Sequence, residues 1–487
     1  MTRDWRDDRI AELEAEVAAK VELEKKVAEQ AAQIAEQAER IAKLEALVQE
    51  LSERLGQNSR NSHRPPSSDG PEARSKRRHK EQKGKRNRGG QPGHPGASRK
   101  LIPESKVSKF VDLFPSRCEN CAEPLARVID PSPLRHQHTE TPPIEPETTE
   151  WRRHACTCGK CGHTTRAAYD DDLIPASPFG PRLMAIMAML TGVYHLSRRR
   201  TVRLLSELLG VRVSLGALSA VEARVSKAVA PAVEEAWSKV KDATVKHTDG
   251  TGWLQAGRAL ALWTLATTAA TVFKIVIDGT KDTLRPLYGK LEGILVSDRA
   301  KALGFWAMER RQICWAHLLR KFVSFSERDG PAGAIGRELL DYAGLVFEYW
   351  RDHRAGKLSR EQFVAWMAPV RRQVEAALGR AVAAGIERVS GSCADILAHK
   401  QALWTFVERQ DVEPTNNHAE REIRAFVLWR KRSFGTQSKR GNLFAERLMT
   451  VAHTARKQER DVLAFLTECC EADRGGEVKP SLFAAAA

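Results

Sequence analysis

The sequence contains no apolar run long enough to cross a membrane. The longest run, from Leu183 to Val193, falls well short of the roughly 20 residues that a spanning helix needs. The first residues also lack the pattern of a secretory leader. These two absences predict a cytoplasmic protein.

Cysteine is scarce, and its arrangement does not suit disulfide bonds. Four of the nine cysteines form two Cys-x-x-Cys pairs, Cys118 with Cys121 and Cys158 with Cys161. A reducing compartment keeps thiols free, and two thiolate pairs meet the tetrahedral demand of structural zinc. The sequence therefore predicts a zinc site at these four residues. Rival ligands nearby are His154, Cys156 and His163.

Positive charge is concentrated in two segments. The net charge is +16, yet residues 1–55 hold 14 acidic and 9 basic residues. Residues 56–110 hold 15 basic and 4 acidic residues, and residues 421–460 hold 11 basic and 3 acidic. Such clusters favour a nucleic-acid partner and a nucleoid-associated location. Because residues 56–100 have almost no apolar side chains, we predict a flexible basic linker there.

Apolar residues recur every seven positions near the start of the chain. This repeat predicts a coiled coil through which the protein self-associates. The alternative is a single amphipathic helix that packs on its own protein. The repeat consists of Leu13, Val27, Ile34, Ile41, Val48 and Leu55, with Leu44 and Leu51 at the alternate position.

Residues 196–230 resemble two short helices joined by a turn. The first is expected to end at Gly210, and the second to begin after Ser214 as its N-cap. This pattern is typical of a helix-turn-helix, although an ordinary helical hairpin has the same signature. The basic triplet Arg198, Arg199 and Arg200 favours contact with phosphate.

Strand patterns begin near residue 243. Three strand-like segments, a helical segment, a fourth strand, a second helical stretch and a fifth strand describe a mixed sheet of the ribonuclease H type. Asp249 lies in the first strand, Asp298 ends the fourth, and the fifth ends near His317. Carboxylates on neighbouring strands suit Mg²⁺, although solvent-facing or capping roles are common for such residues.

A predominantly helical segment, residues 331–410, precedes "PTNNHAEREIR" at 414–424. Asn417 and Glu420 fit a capping box, in which Glu420 only stabilises the helix start. A helix starting here also leaves Glu420 free to turn towards the two aspartates. The basic residues that follow would then position phosphates, and they are Arg421, Arg424, Arg430, Lys431 and Arg432.

Several ordered motifs resemble the sixty-six family of bacterial insertion-sequence transposases, a DDE group. They include "NSRNSHRPPSSDG", "GGQPGHPG", "GILVSD", "CWAHLLRKF", and "NNHAEREIR" followed by "WRKRSFG". The resemblance implies that Asp249, Asp298 and Glu420 are a catalytic, metal-binding triad. It implies that His317 lies near the metal, with a buried, hydrogen-bonded histidine as the alternative. It also implies DNA ends and target DNA as substrates and suggests accessory proteins of the same element.

The expected reaction is strand cleavage followed by strand transfer, with Mg²⁺ or Mn²⁺ at the triad. Two alternatives remain open. One is a noncatalytic dimeric zinc-containing DNA-binding regulator, and the other is a ribonuclease H-like nuclease that cuts without joining.

The predicted fold is multidomain α/β, with a helical insertion interrupting the ribonuclease H-like catalytic domain. The predicted segments are a coiled coil (1–55), a basic linker (56–112), a zinc-binding module (113–168), a helix-turn-helix-like region (169–235), the first part of the catalytic core (236–330), the helical insertion (331–410), the second part of the core (411–465) and a C-terminal tail (466–487).

Overall fold

The computed structural model describes residues 5–62, 100–168, 175, 177–289 and 291–483. Most of the predicted basic linker therefore lies outside the described residues. The chain divides into two compact units. Unit 1 comprises Met1–Arg77, Val296–Arg299 and Trp306–Asn416, and unit 2 comprises Arg78–Leu295, Ala300–Phe305 and Asn417–Ala487.

Unit 1 begins with one long helix, α1 (Trp5–Gly56). The apolar residues of the heptad repeat lie on its surface, and Ile34 is 66% exposed. The turn that follows is fixed by Asn61, whose side-chain nitrogen donates to Glu327 at 2.7 Å. The helix prediction is confirmed, and the exposed apolar residues are the ones that a second helix would cover.

The described residues in the first part of unit 2 form turns, a short hairpin, four α-helices, a 3-10 turn (Glu104–Lys106) and a π-helical turn (Met189–Val193). The helix pair predicted at residues 196–230 is present, because Gly210 has a positive φ of 65° and Ser214 Oγ accepts from Ala217 N at 3.1 Å. The elements are β1 (Ala155–Thr157), β2 (Thr164–Arg166), α2 (Pro181–Ala188), α3 (Arg198–Leu209), α4 (Leu215–Ala228) and α5 (Ala230–Asp242).

Three antiparallel strands form the centre of unit 2. They are β3 (Val245–Gln255), β4 (Arg258–Ala266) and β5 (Thr271–Val276). Asp249 on β3 lies opposite Thr264 on β4, and Thr264 lies opposite Phe273 on β5. This register places Leu262 and Phe273 among the buried side chains of the sheet.

Helix α6 (Lys281–Tyr288) leads to β6 (Ile294–Ser297), which neighbours β3 in the sheet. Ile294 N donates to Thr244 O at 2.8 Å at the start of this pairing. In unit 1, the end of β6 lies beside β7 (Arg311–Ile313), the fifth strand of the sheet.

The helix expected between the fourth and fifth strands is wrong in type. That segment contains two single 3-10 turns, Lys301–Leu303 and Met308–Arg310. The fifth strand is also shorter than predicted. It ends at Ile313, since Trp315 N donates to Pro414 O and a helix begins at Trp315.

The remainder of unit 1 is helical. Its helices pack through buried apolar residues, among them Leu339, Phe363 and Phe406. Most of these helices lie in residues 331–410, the segment that the sequence predicted to be helical. The helices are α7 (Trp315–Ser326), α8 (Gly330–Arg354), α9 (Arg360–Ala383), α10 (Ser390–Ala398), α11 (Lys400–Leu403) and α12 (Thr405–Glu408).

Unit 2 ends with α13 (Asn417–Ser433), α14 (Lys439–Lys457) and α15 (Val462–Gly475). Helix α15 crosses the boundary at residue 465 from which a tail was predicted. The chain beyond it is anchored, because Glu235 accepts from Leu482 N at 2.9 Å.

Across the described residues, no helix has both the length and the apolar character that crossing a membrane requires.

Candidate active site

Asp249 lies in the middle of β3 and is half-buried. Its Oδ1 accepts from the backbone nitrogen of Gly250 at 2.9 Å. A Cβ atom on Gly250 would lie 2.9 Å from the ring of Trp263, so only glycine fits at that position. Thr248 points the other way into the core, where it donates to Thr264 O at 2.8 Å. Strand alternation therefore leaves Asp249 on the opposite face from the buried Thr248.

Asp298 directly follows β6, and its main chain is held by two neighbours. Its carbonyl oxygen accepts from Ser297 Oγ at 2.8 Å and from Arg311 Nη2 at 3.2 Å. Arg311 is fully buried, and burial lowers the pKa of its guanidinium. The hydrogen bonds from Ser297 and Arg311 thus fix the backbone of Asp298, which carries the carboxylate.

Arg299, the next residue, is paired with Asp395 on α10. The Arg299 side chain is 10% exposed and that of Asp395 is 52% exposed. Burial lowers the pKa of Arg299, and the charge of Asp395 opposes this shift. Within unit 1, the helical segment thus supplies the counter-ion next to Asp298.

Glu420 lies in the first turn of α13 and is half-buried. The helix begins at Asn417, one residue earlier than a capping box with Asn417 as the N-cap would need. The opposite side of α13 packs into a core cluster through Phe426, whose ring lies 5.4 Å from that of Trp253 and 4.8 Å from that of Phe273. This packing fixes the rotation of α13 on unit 2, and hence the direction in which Glu420 leaves the helix.

A buried charged cluster anchors the same turn of α13. Glu422 contacts His453 Nδ1 and lies 3.1 Å from Lys457 Nζ, both on α14. Burial alone would raise the pKa of Glu422, but the hydrogen bond from His453 and the charge of Lys457 lower it to about 2. Lys457 also lies 2.8 Å from His418 Nε2, and burial lowers the pKa of His418 to about 4.

His317 lies on α7, not at the end of a strand as predicted. The segment "RQICWAH" is a short apolar run, and such runs do not distinguish strand from helix. His317 N donates to Cys314 O at 3.1 Å, and its Nε2 lies 3.4 Å from Arg320 Nη1.

The two cysteine pairs form two turns with the same hydrogen bonds. Ala122 N donates to Cys118 O and Gly162 N donates to Cys158 O, both at 2.9 Å. Backbone nitrogens also donate to the first sulfur of each pair, which lowers the pKa of Cys118 and of Cys158. Each turn therefore favours a thiolate, the form that binds metal. Among the residues that the structure describes, no three of the four paired thiols share a cluster of ligand atoms within 4.8 Å.

The basic triplet of α3 divides into two roles. Arg198 pairs with Glu222 on α4, whose side chain is 7% exposed, and this bond raises the pKa of Arg198. Its charge is thus paired with a buried carboxylate, although the Arg198 side chain itself is 46% exposed. Arg199 and Arg200 are exposed and remain accessible to a phosphate.

The basic residues of α13 also differ. Arg430 donates to the carbonyl of Gly252 on β3, so it ties the helix end to the sheet. Burial lowers the pKa of Arg430. The others are exposed, and they are Arg421, Arg424, Lys431 and Arg432.

The strand that carries Asp249 and the strand that leads into Asp298 are neighbours, as predicted. Asp249 and Glu420 belong to unit 2, whereas Asp298 belongs to unit 1. Sequence reasoning missed Arg311 and the Glu422 cluster. Arg311 begins the strand Arg-Gln-Ile, and nothing in this short polar sequence signals that its side chain is buried.

Comparisons with known proteins identify the family of this chain. The pattern of the IS66 family of transposases matches residues 176–443, which is more than half of the chain. A family of unknown function (DUF6444) matches residues 3–100. No curated protein matches the sequence. The chain belongs to the IS66 family of transposases.

Proposed function

We propose that this protein is a DDE transposase that binds the ends of an insertion sequence and catalyses metal-dependent strand cleavage and strand transfer. The observation that carries the proposal is the position of the Asp249 and Asp298 carboxylates in this chain, which belongs to a transposase family. Asp249 lies on β3, and Asp298 follows the neighbouring strand β6. Three antiparallel strands, a helix and two strands on the other side of β3 also support a ribonuclease H-like core.

The proposed third carboxylate is Glu420, at a helix start fixed by packing and by the Glu422 cluster. Three carboxylates form a set of hard oxygen donors, which fits Mg²⁺ or Mn²⁺. Metal bound there would supply Lewis-acid activation of water for cleavage and of the freed 3′-hydroxyl for joining.

The protein's own residues position these groups. Arg311 and Ser297 hold the main chain of Asp298, and the core contacts of Phe426 hold α13. The exposed cations Arg421 and Arg424 lie within one turn of Glu420. On the proposed function they bind backbone phosphates and orient the strand for in-line attack.

Recognition of the element ends is assigned to the cysteine turns and to the pair α3 and α4. Zn²⁺ bound by Cys118, Cys121, Cys158 and Cys161 would join the two turns into one module. Arg199 and Arg200 would contact phosphate, because Arg198 is engaged by Glu222. Accessory proteins of the same element would join the complex through surfaces of their own.

Self-association is assigned to α1. Two ends must be brought together before joining, and the exposed heptad residues of α1 provide a surface for a second copy. Ile34→Glu is expected to shift the protein to a lower oligomeric state in light scattering, whereas the exposed Glu36→Gln should leave it unchanged.

The deciding experiment is strand cleavage and joining on DNA that carries the element's terminal inverted repeats, which are first identified by sequencing the DNA on both sides of the gene. Asp298→Asn keeps the backbone contacts of Arg311, so it should bind this DNA normally and lose Mg²⁺-dependent cleavage. Cleavage by Asp298→Asn at the wild-type rate would refute the triad. Wild-type protein that binds without cutting would be a regulator, and one that cuts without joining would be a nuclease.

A further inference from the structure

Phe434, the residue that follows α13, is a large apolar residue that the fold holds out in solvent. It is 73% exposed, whereas Phe426 and Trp429 on α13 are buried. Its backbone has a φ of +56°, which is uncommon for any residue other than glycine and an outlier for a bulky one. The large apolar side chain thus combines high exposure with an uncommon backbone conformation.

The turn around Phe434 is fixed by hydrogen bonds on both sides. Phe434 N donates to Arg430 O at 2.9 Å, and Thr436 N donates to Leu254 O at 2.9 Å. Between them, Gly435 has a φ of +88°, and a Cβ there would lie 2.1 Å from Leu254 O. The turn is thus attached to the end of β3, and the base of the aromatic side chain is rigidly positioned.

The charge around Phe434 indicates what covers it. Residues 430–440 contain five basic and no acidic residues. Lys431 and Arg432 are exposed immediately before the turn, and Lys439 follows it. An aromatic ring among cations suits single-stranded nucleic acid, because phosphates meet the cations while a base stacks on the ring.

We propose that Phe434 is a stacking platform for an unpaired DNA base. The proposal rests on the proposed function, since a transposase must expose single-stranded DNA at the ends that it cuts and joins. The exposed cations on either side bind the backbone of any sequence. Phe434 adds a preference for unpaired over paired nucleotides, because a base inside a duplex has no free face to offer.

The test measures binding of the full chain, without added Mg²⁺, to a labelled 30-nucleotide oligo(dT) and to a labelled 30-base-pair duplex of mixed sequence. Phe434→Ala should weaken oligo(dT) binding by about 5-fold to about 150-fold, the loss that one stacked base implies. Duplex binding should change less than about twofold. Phe434→Trp should retain oligo(dT) affinity, and Phe434→Leu should not, because leucine has no π face.

Two further variants separate stacking from structure. Asparagine adopts the left-handed backbone more readily, so Phe434→Asn keeps the turn and should show the same selective loss. Leu428→Ala removes a side chain of α13 that is also exposed, and it should bind both probes normally.

The remaining outcomes of this binding test refute either the proposed function or the stacking proposal. Wild-type protein that binds neither probe would refute the proposed function. Normal oligo(dT) binding by Phe434→Ala, or by Phe434→Leu, would refute stacking and leave that function intact. Equal weakening of binding to both probes in Phe434→Ala would also refute stacking. A lower oligomeric state of Phe434→Ala would refute stacking too, because it would identify a second copy of the chain as the partner that covers Phe434.

Discussion

Two regions of unit 2 differ in how much of their apolar surface is buried. The sheet and helices α13 and α14 bury Trp253, Phe273 and Phe426 in one cluster. In residues 113–168, by contrast, every residue is exposed or half-buried. Burial of apolar surface stabilises the first region. The second has turns and one short hairpin in place of a buried core, and on the proposed function Zn²⁺ bound by its thiols would supply the missing stabilisation.

The largest effect is expected from a metal chelator, on the proposal that the cysteine turns bind Zn²⁺. Zinc bound by four thiolates contributes roughly 10–16 kcal/mol at neutral pH. Chelation should therefore make residues 113–168 sensitive to proteases while α13 and α14 stay protected, and mass spectrometry of the fragments measures both. Cys158→Ser should have the same effect and should lower the zinc content.

Cys156→Ser is the matched control, because Cys156 is an equally exposed thiol on β1 outside the two turns. It should retain zinc and protection. Loss of zinc from this variant would show that Cys156 belongs to the ligand set, and the predicted set of four would then be wrong.

The second prediction weakens the buried region. Phe426→Ala removes the ring that contacts Trp253 and Phe273, and a truncation of this kind costs about 3–5 kcal/mol. The midpoint of urea unfolding, followed by tryptophan fluorescence, should fall accordingly. Leu428→Ala, at an exposed position two residues away, should change stability by less than about 0.5 kcal/mol. Equal effects of the two variants would contradict the described packing of α13.

Local sequence patterns predicted helices and strands well where a short-range signal sets the type or the end of the element. The heptad repeat predicted α1, and the Gly210 and Ser214 signals predicted the ends of α3 and α4. Asp298 also follows a strand, as its apolar run suggested. In each case the decisive interaction lies within a few residues along the chain.

The supports of the candidate site were not predictable, because they join distant residues. Glu422 contacts His453 and Lys457, 31 and 35 residues later, and Arg311 reaches the carbonyl of Asp298. Nothing local distinguishes these charged residues from solvated ones. Periodicity also failed at His317, since an apolar run of four residues fits a strand end and a helix start equally well.

The third prediction concerns pH and His195, which stacks on Trp429 with ring centroids 4.5 Å apart. Burial, together with the charges of Arg432 and His453, lowers the pKa of His195 from 6.5 to about 4. A folded pKa below the unfolded value stabilises the protein above pH 6.5, and this contribution is lost as the pH falls towards 4. The loss amounts to at most about 3 kcal/mol.

Urea unfolding at pH 7 and at pH 5 measures this loss. His195→Asn removes the titrating ring, and asparagine tolerates the positive φ of 57° at that position. Its stability should therefore fall less between the two pH values than that of the wild type. Parallel falls would mean that His195 does not remain neutral in the folded protein.

The smallest effect is expected from an ion pair with one buried and one exposed partner, Arg299 with Asp395. Asp395→Asn leaves the nearly buried guanidinium without its counter-ion, but water reaches this site through the exposed aspartate. The cost should therefore lie near 1 kcal/mol, between the 3–5 kcal/mol for breaking a buried pair and the near-zero value for an exposed one. Glu207→Gln, which breaks the fully exposed pair with Arg203, supplies that lower limit in the same urea measurement. If both variants unfold at the wild-type midpoint, Arg299 is held by its burial alone, and the helical segment does not stabilise the chain next to Asp298 through this pair.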